Sequence, residues 1–170
     1  MIEYVKLENG MRQYRVESAC VIYRVRDEWG FFSNFAPCPL TAEVEGEVIV
    51  ACTSEAIYQA GRFIHRPDLM RLTLEQKSAY DVKKFARLHI NDTRPDWFSV
   101  NVNLMRDVLK CKYEAYPRKV AGLLRLTGDR PIVELSYRDT FWGAYPENGN
   151  VLVGKNVLGR LWMELREKVL

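Results

Sequence analysis

Two histidines, His65 and His89, are all that the 170 residues contain, and neither stands in a metal-ligand spacing. A zinc or di-iron enzyme is therefore not expected, while carboxylate-held Mg²⁺ stays open. Cysteine is almost as sparse. Cys20, Cys38, Cys52 and Cys111 are widely spaced and form no C-x-x-C pair, so they read as reduced thiols of a cytosolic protein. Cys38 and Cys52 flank a candidate hairpin, but a disulfide between them is not expected. No apolar run approaches the ~20 residues a bilayer span needs, which argues against a membrane partner. Residues 1–6 lack the basic-then-apolar order of a secretory signal, and a cytoplasmic location is the expectation. The order G-x-x-x-x-G-K-[ST] is absent, as are internal repeats and low-complexity linkers. A large charge excess is missing too: 25 Lys and Arg face 22 Asp and Glu, a net charge of +3. That balance suits an anionic ligand such as a nucleotide phosphate and is too weak to argue for extended nucleic-acid binding.

What is present is ordinary for a globular chain: 48% hydrophobic and 28% charged residues, enough for one sizeable core over 1–170. Aromatics reach 12%, and several stand beside polar residues, as in a ligand cleft.

The most suggestive stretch runs from Thr53 to Phe63. Thr53 or Ser54 can cap a helix, because a hydroxyl there accepts from an orphaned backbone N–H. Glu55, Tyr58, Gln59 and Arg62 then share one polar, aromatic face, while Ala56, Ile57, Ala60 and Phe63 suit a core. On spacing alone Glu55 has two readings: a complement to the helix dipole, or the carboxylate of a reaction site.

The rest of the chain divides readily. Residues 1–18 read as one short strand and a turn at Asn9-Gly10, and 19–25 as a strand. The loop 27–37 holds Trp29, Phe31, Phe32 and Phe35 around Ser33 and Asn34; either the rings pin it to the core or they wall a pocket into which Ser33 and Asn34 point. Residues 40–44 and 47–51 flank Glu45-Gly46 as a hairpin. Thr73-Leu74-Glu75-Gln76 has the form of a capping box, which predicts a helix start. A helix over 78–89 carries Lys83, Lys84 and Arg87, a basic face that is either merely solvated or a phosphate contact. The longest helix spans roughly 96–116, with Val100, Leu104, Val108 and Cys111 as one stripe, Met105, Leu109 and Lys112 beside it, and Trp97 in its first turn, capping the core or lying flat in a site. A helix from Pro117 stops at Gly128, residues 131–136 form a strand, Asn148-Gly149-Asn150 turns, and Leu158 to Val169 forms the last helix. The fold class is α+β: a mostly helical domain with a small antiparallel sheet built from the hairpin, 19–25 and 131–136.

Four clusters stand in order: Phe32-Ser33-Asn34-Phe35; Ser54-Glu55 through Phe63; Asp139-Thr140-Phe141-Trp142-Gly143; and Gly154-Lys155-Asn156-Val157-Leu158-Gly159 with Met163-Glu164-Leu165-Arg166. Together they resemble the YbiA-like or NADAR family, over about Trp29 to Leu170. They match its S-N-F loop, S-E-x-x-x-Q-x-x-[KR]-F helix, D-x-x-W-G loop and G-x-N-x-L-G-x-x-[LW]-M-x-L-R terminus. Residues 1–25 are then an extension to the motif region. The resemblance implies hydrolysis of ribosyl C–N bonds, on ribosylamino-pyrimidine intermediates of riboflavin synthesis in one branch. In another it implies removal of ADP-ribose from guanine in nucleic acid, as an antitoxin. The substrate partner is thus a small nucleotide or ADP-ribosylated nucleic acid, and no cofactor is implied. The catalytic candidates carried over are Glu55, Asp139 and Trp97, with Asn34, Lys155 and Asn156 as ligand contacts. Ser33, Phe35, Tyr58, Gln59, Arg62, Trp142 and Gly143 complete the expected binding set. One departure stands out: the family often reads S-E-H, and here Ala56 replaces the histidine, leaving another group such as Tyr58 to assist any proton transfer.

Cleaving a ribose C1′–N bond needs stabilised positive charge at C1′, a protonated leaving nitrogen and an activated water, work that two carboxylates can divide. Glu55 is placed nearest C1′, with Asp139 orienting the sugar or serving as second acid/base. Trp97 and Trp142 would stack on base or ribose, and Lys155 would meet a phosphate. Two alternatives remain: Lys155 as a nucleophile forming a Schiff base on an opened sugar, and a non-catalytic module that holds ADP-ribose or NAD.

Overall fold

The computed structural model of the chain describes residues 4–170. In order its elements are β1 (Val5–Lys6), β2 (Arg12–Arg15), β3 (Cys20–Ile22), β4 (Leu40–Val44), β5 (Glu47–Ala51), α1 (Ser54–Arg62), α2 (Pro67–Leu74), α3 (Ala79–Leu88), α4 (Trp97–Ala115), α5 (Pro117–Thr127), β6 (Ile132–Glu134), β7 (Tyr145–Asn148), β8 (Val151–Gly154) and α6 (Val157–Val169), with short 3₁₀ turns between some of them. The architecture is α+β, with more helix than strand. The chain forms two compact units, one from residues up to Ser33 together with 117–170, the other Asn34–Tyr116.

The Asn34–Tyr116 unit holds the β4–β5 hairpin and α1 to α4. Glu45 and Gly46 both take positive φ, which a two-residue hairpin turn of the favoured twist requires. Along β4, Leu40, Ala42 and Val44 are buried and the residues between them exposed, so the alternation read from the sequence places one face on the core. α1 packs against α2, α3 and α4. At Gly61 the Leu104 side chain of α4 packs close to the backbone of α1, where a Cβ would lie 2.6 Å from Leu104 Cδ2.

Two expectations for this unit change. Thr73 closes α2 rather than starting a helix: its hydroxyl donates back to Leu69 O at 2.8 Å, and Pro67 occupies the first turn. α4 does bury Val108, but Trp97, Asn101, Met105, Leu109 and Lys112 are its other buried residues, while Val100, Leu104 and Cys111 are half-buried. Its inward stripe is the register that starts at Trp97. Cys38 and Cys52 are both free thiols. Cys38 N–H bonds Cys52 O at 2.9 Å, yet the first side chain is buried and the second exposed.

The other unit contains a four-stranded antiparallel sheet in the order β1-β2-β8-β7 and a separate parallel pair, β3 with β6. The expected single small sheet is thus three separate sheets, and residues 19–25 and 131–136 pair with each other rather than with the hairpin. Their composition explains the difference. Cys20, Ile22, Ile132 and Val133 are all buried, and strands apolar on both faces suit a covered parallel pair. The N-terminal region holds two strands about Asn9-Gly10, both at positive φ. α6 lies on β6, and Gly159 permits this, because a Cβ there would run into the Ile132 carbonyl oxygen. Trp162 of α6 donates its indole N–H to Phe32 O at 2.9 Å, with the two rings 4.8 Å apart. The Phe32 ring is therefore core. Arg166, from the terminal motif, is buried and donates to Thr127 Oγ1 and Arg130 O, so it ties the end of α5 to α6. Burial pushes its pKa down. No helix among the described residues is long and apolar enough to cross a membrane.

Candidate functional site

In the Asn34–Tyr116 unit the sequence-marked residues converge on α1. Thr53 caps the helix, accepting the Ala56 N–H at 3.2 Å, and this fixes where the first turn begins. Glu55 follows in that turn and is only 5% exposed. Its backbone N–H donates to Asn34 O at 3.0 Å, which brings the S-N-F loop onto the helix start. One turn on, Gln59 Nε2 donates to Glu55 Oε1 at 2.9 Å and fixes that oxygen. The carboxylate is thus presented from rigid backbone and held by a neighbouring amide.

A second layer lies along the same face. The rings of Tyr58 and Trp97 are 4.9 Å apart, and the Arg62 guanidinium sits 4.7 Å from the Trp97 ring centroid. Arg62 also bonds the Tyr58 side chain; burial lowers its pKa, opposed by the charges of Tyr58 and Glu55. The backbone links these parts, since Arg94 N–H donates to Arg62 O at 3.2 Å and Trp97 N–H to Arg94 O at 3.1 Å. The Arg94 side chain is clamped by Glu45 and Asp96, each at 2.6 Å. Trp97 is 4% exposed, so its indole backs Tyr58 and Arg62 rather than lying open for stacking.

Several polar atoms of this face have no partner. Asn34 Oδ1, Gln59 Oε1 and Arg62 Nε are buried without a hydrogen bond. Asn34 does donate to Met105 Sδ at 3.3 Å, but thioether sulfur is a weak acceptor. Each orphaned buried group costs about 1–3 kcal/mol, a cost that a water, an ion or a ligand group bonded there would offset. Phe35 is half-buried, with Lys83 Nζ 5.6 Å from its ring.

The second set of marked residues belongs to the other unit. Asp139 Oδ1 accepts the N–H groups of Phe141 (3.1 Å) and Trp142 (2.9 Å), folding the loop back on its own acid. The loop carbonyls then receive the N–H groups that open α6: Lys155 donates to Thr140 O, Asn156 to Gly143 O, Val157 to Phe141 O and Leu158 to Trp142 O, at 2.7–3.1 Å. The first N–H groups of a helix are normally open to an anion; here the loop takes them. Asn156 is fully buried in left-handed conformation, its amide bridging Glu134 N–H and Ile132 O. A Cβ at Gly143 would press on Glu134 O, and one at Gly154 on Gly143 O. The half-buried Lys155 keeps its Nζ 5.7 Å from the Phe141 ring. Ser33 is buried, its N–H bonded to Gly30 O.

Sequence reasoning missed Asn101 and Thr93 as members of the Asn34–Tyr116 interior. Asn101 is buried one turn beyond Trp97, and Thr93 Oγ1 is a further buried atom without a partner. A helical register anchored on Trp97 finds the first; no local signal finds the second. Among the described residues, no three His, Cys, Asp or Glu side chains gather where a metal ion could be held.

The model of the NADAR domain matches residues 22–170. The chain belongs to the NADAR domain family. Among its relatives, the N-glycosidase YbiA of Escherichia coli is 33% identical over 150 residues, 86% of this chain and 86% of that protein. The chloroplastic riboflavin biosynthesis protein PYRR of Zea mays is 33% identical over 158 residues, 87% of this chain. The chain spans only 25% of that maize protein's length. A riboflavin biosynthesis protein of Vibrio vulnificus is 32% identical over 164 residues and is covered to 41%. The NMR structure of E. coli YbiA superposes with a TM-score of 0.72 at 31% identity, covering 89% of this chain and 84% of that one.

Proposed function

We propose that this N-glycosyl hydrolase cleaves a ribosyl C1′–N bond in a nucleotide-like substrate, either ADP-ribosylated guanine or a ribosylamino-pyrimidine phosphate, with Glu55 as the carboxylate nearest C1′. The enzyme class follows from family membership with the N-glycosidase YbiA, which the chain matches over most of both lengths. The choice of Glu55 is supported by one observation above others. A deeply buried acid is held by Gln59, seated on Asn34, and surrounded by the unpartnered Asn34 Oδ1, Gln59 Oε1 and Arg62 Nε.

Such an acid can do what the reaction requires. As C1′ loses its nitrogen the sugar becomes oxocarbenium-like, and a fixed carboxylate in a site with little water stabilises that charge or takes a proton from the attacking water. Asn34 and Gln59 offer acceptor oxygens to ribose hydroxyls, and Arg62 offers an N–H donor to a sugar or phosphate oxygen. Trp97 acts as the support that fixes Tyr58 and Arg62. With Ala56 in place of the family histidine, Tyr58, on the same face as Glu55, is the hydroxyl that assists proton transfer. Asp139 holds its own loop and, with Lys155, enters as a proposal from the motif match alone.

The test is incubation with ribosylamino-pyrimidine phosphates, ADP-ribosylated guanosine, NAD and ADP-ribose, following release of base and free sugar. Turnover of either of the first two supports the reading. Tight binding of ADP-ribose or NAD with no turnover of any compound would instead identify a binding module.

A further inference from the structure

The basic face of α3 is the feature that the N-glycosidase reading leaves unused. Tyr80, Lys83, Lys84 and Arg87 stand at i, i+3, i+4 and i+7 and line a shallow surface cavity of about 80 Å³. None of the three cations forms an ion pair among the described residues. The one acid nearby on the helix is engaged elsewhere: Asp81 accepts from the Ser78 hydroxyl at 2.6 Å and from nothing basic. Lys83 and Arg87 are like charges one turn apart, an arrangement that weakens a helix unless something neutralises it. Other exposed cations do find partners, such as Arg71 with Glu75 and Lys168 with Glu164, each one turn away.

The helix that carries the cavity packs against α1 inside the same unit. Lys83 Nζ lies 5.6 Å from the Phe35 ring, and Asn34, the residue before Phe35, accepts the Glu55 N–H. Tyr80 is 69% exposed and rims the same cavity, offering a ring face and a hydroxyl. Clustered cations without ion-pair partners, on a helix packed against α1, are suited to phosphate oxygens.

We propose that Tyr80, Lys83, Lys84 and Arg87 form a phosphate-binding shelf that receives phosphate groups of the substrate whose C1′–N bond lies at Glu55. This rests on the N-glycosidase reading for the identity of the substrate, but not for the binding itself. The phosphates can come from a free nucleotide or from the backbone of a nucleic-acid strand.

The test compares the full chain with Lys83→Gln/Lys84→Gln/Arg87→Gln, whose side chains are exposed or half-buried. Fluorescence anisotropy with a short fluorescein-labelled single strand at low salt reads binding. Three contacts predict a log–log salt slope of about −2, at roughly 0.7 per neutralised phosphate on a single strand. The triple variant should bind at least ~10-fold more weakly with a flatter slope. AMP and adenosine then serve as competitors. Displacement by AMP but not adenosine assigns the shelf to a free nucleotide phosphate, whereas displacement only by unlabelled strand assigns it to backbone phosphates. Unchanged affinity and slope in a folded triple variant overturns the proposal, as does failure of the wild type to bind either probe. Salt-dependent binding that the triple variant loses, in a protein that hydrolyses none of the candidate substrates, would retain the shelf and remove the catalytic reading.

Discussion

Around Glu55, motif side chains keep buried polar atoms without partners; around Asp139 and Asn156 the motif side chains bond the backbone, although Tyr14 Oη in that unit is also buried without a partner. Asn34 Oδ1, Gln59 Oε1 and Arg62 Nε are orphaned along the polar face of α1. In the other unit, Asp139 Oδ1 takes two loop N–H groups, Asn156 spans two strand groups, and the opening turn of α6 donates into the 140–143 loop. Both regions carry family motifs, and motif content alone does not distinguish them. Hydrogen-bond accounting of the motif side chains does, because a satisfied side chain holds local shape, while an unsatisfied one has bonding capacity left over. The motif residues therefore divide into those whose side chains bond the backbone and those that keep an unpartnered polar atom.

Substitutions on the saturated side should damage stability most. Gly159→Ala places a methyl group against the Ile132 carbonyl oxygen, a backbone atom that cannot swing aside. The expected loss is on the order of 5 kcal/mol or of the fold itself, read by thermal melting. A near-wild-type melting temperature would show that α6 and β6 are not locked together as described. Asn156→Ala strands Glu134 N–H and Ile132 O and should cost about 3 kcal/mol, read by urea unfolding.

The unsaturated side should behave oppositely. Asn34→Leu removes an orphaned oxygen and a weak bond to sulfur. Stability should stay within about 1 kcal/mol of wild type, while turnover falls by ~10-fold or more. Melting and steady-state kinetics on one preparation would expose any failure of the contrast: a large loss of stability would make Asn34 a scaffold residue.

The alkaline limit offers a smaller difference. Burial pushes the thiols of Cys20 and Cys111 above their ordinary value of 9.0. The folded state then keeps protons that the unfolded state releases, so their stabilisation is full below about pH 9 and falls as pH rises through the raised values. Cys20 is fully buried and Cys111 half-buried. The loss of stability between pH 8 and 10, followed by urea midpoints, should therefore flatten in Cys20→Ala. An unchanged pH dependence would contradict a raised Cys20 thiol.

Much of this was legible in the sequence, for physical reasons that particular residues make plain. The Thr53 cap, the hairpin about Glu45-Gly46, the helix from Ser78, the Gly128 stop and the shared face of Glu55, Tyr58, Gln59 and Arg62 depend on local rules of capping, turn geometry and helical period, and all appear. What local rules could not supply was pairing at a distance. Residues 20–22 find 132–134 in parallel across more than a hundred residues, a choice decided by burial on both faces. Thr73 fits a capping box, yet the turn begun at Pro67 already uses its hydroxyl. Trp97 offers an aromatic face that looks free in sequence; tertiary packing encloses it behind Arg62 and Tyr58.

The most direct measurement is hydrolysis and binding by Glu55→Gln, a change that preserves shape and removes the carboxylate. With ADP-ribosylated guanosine and ribosylamino-pyrimidine phosphates as substrates, turnover should fall by ~10²–10⁴-fold, with ligand affinity within a few-fold of wild type. Full activity in a folded Glu55→Gln protein would contradict the assignment of Glu55 as the reacting carboxylate.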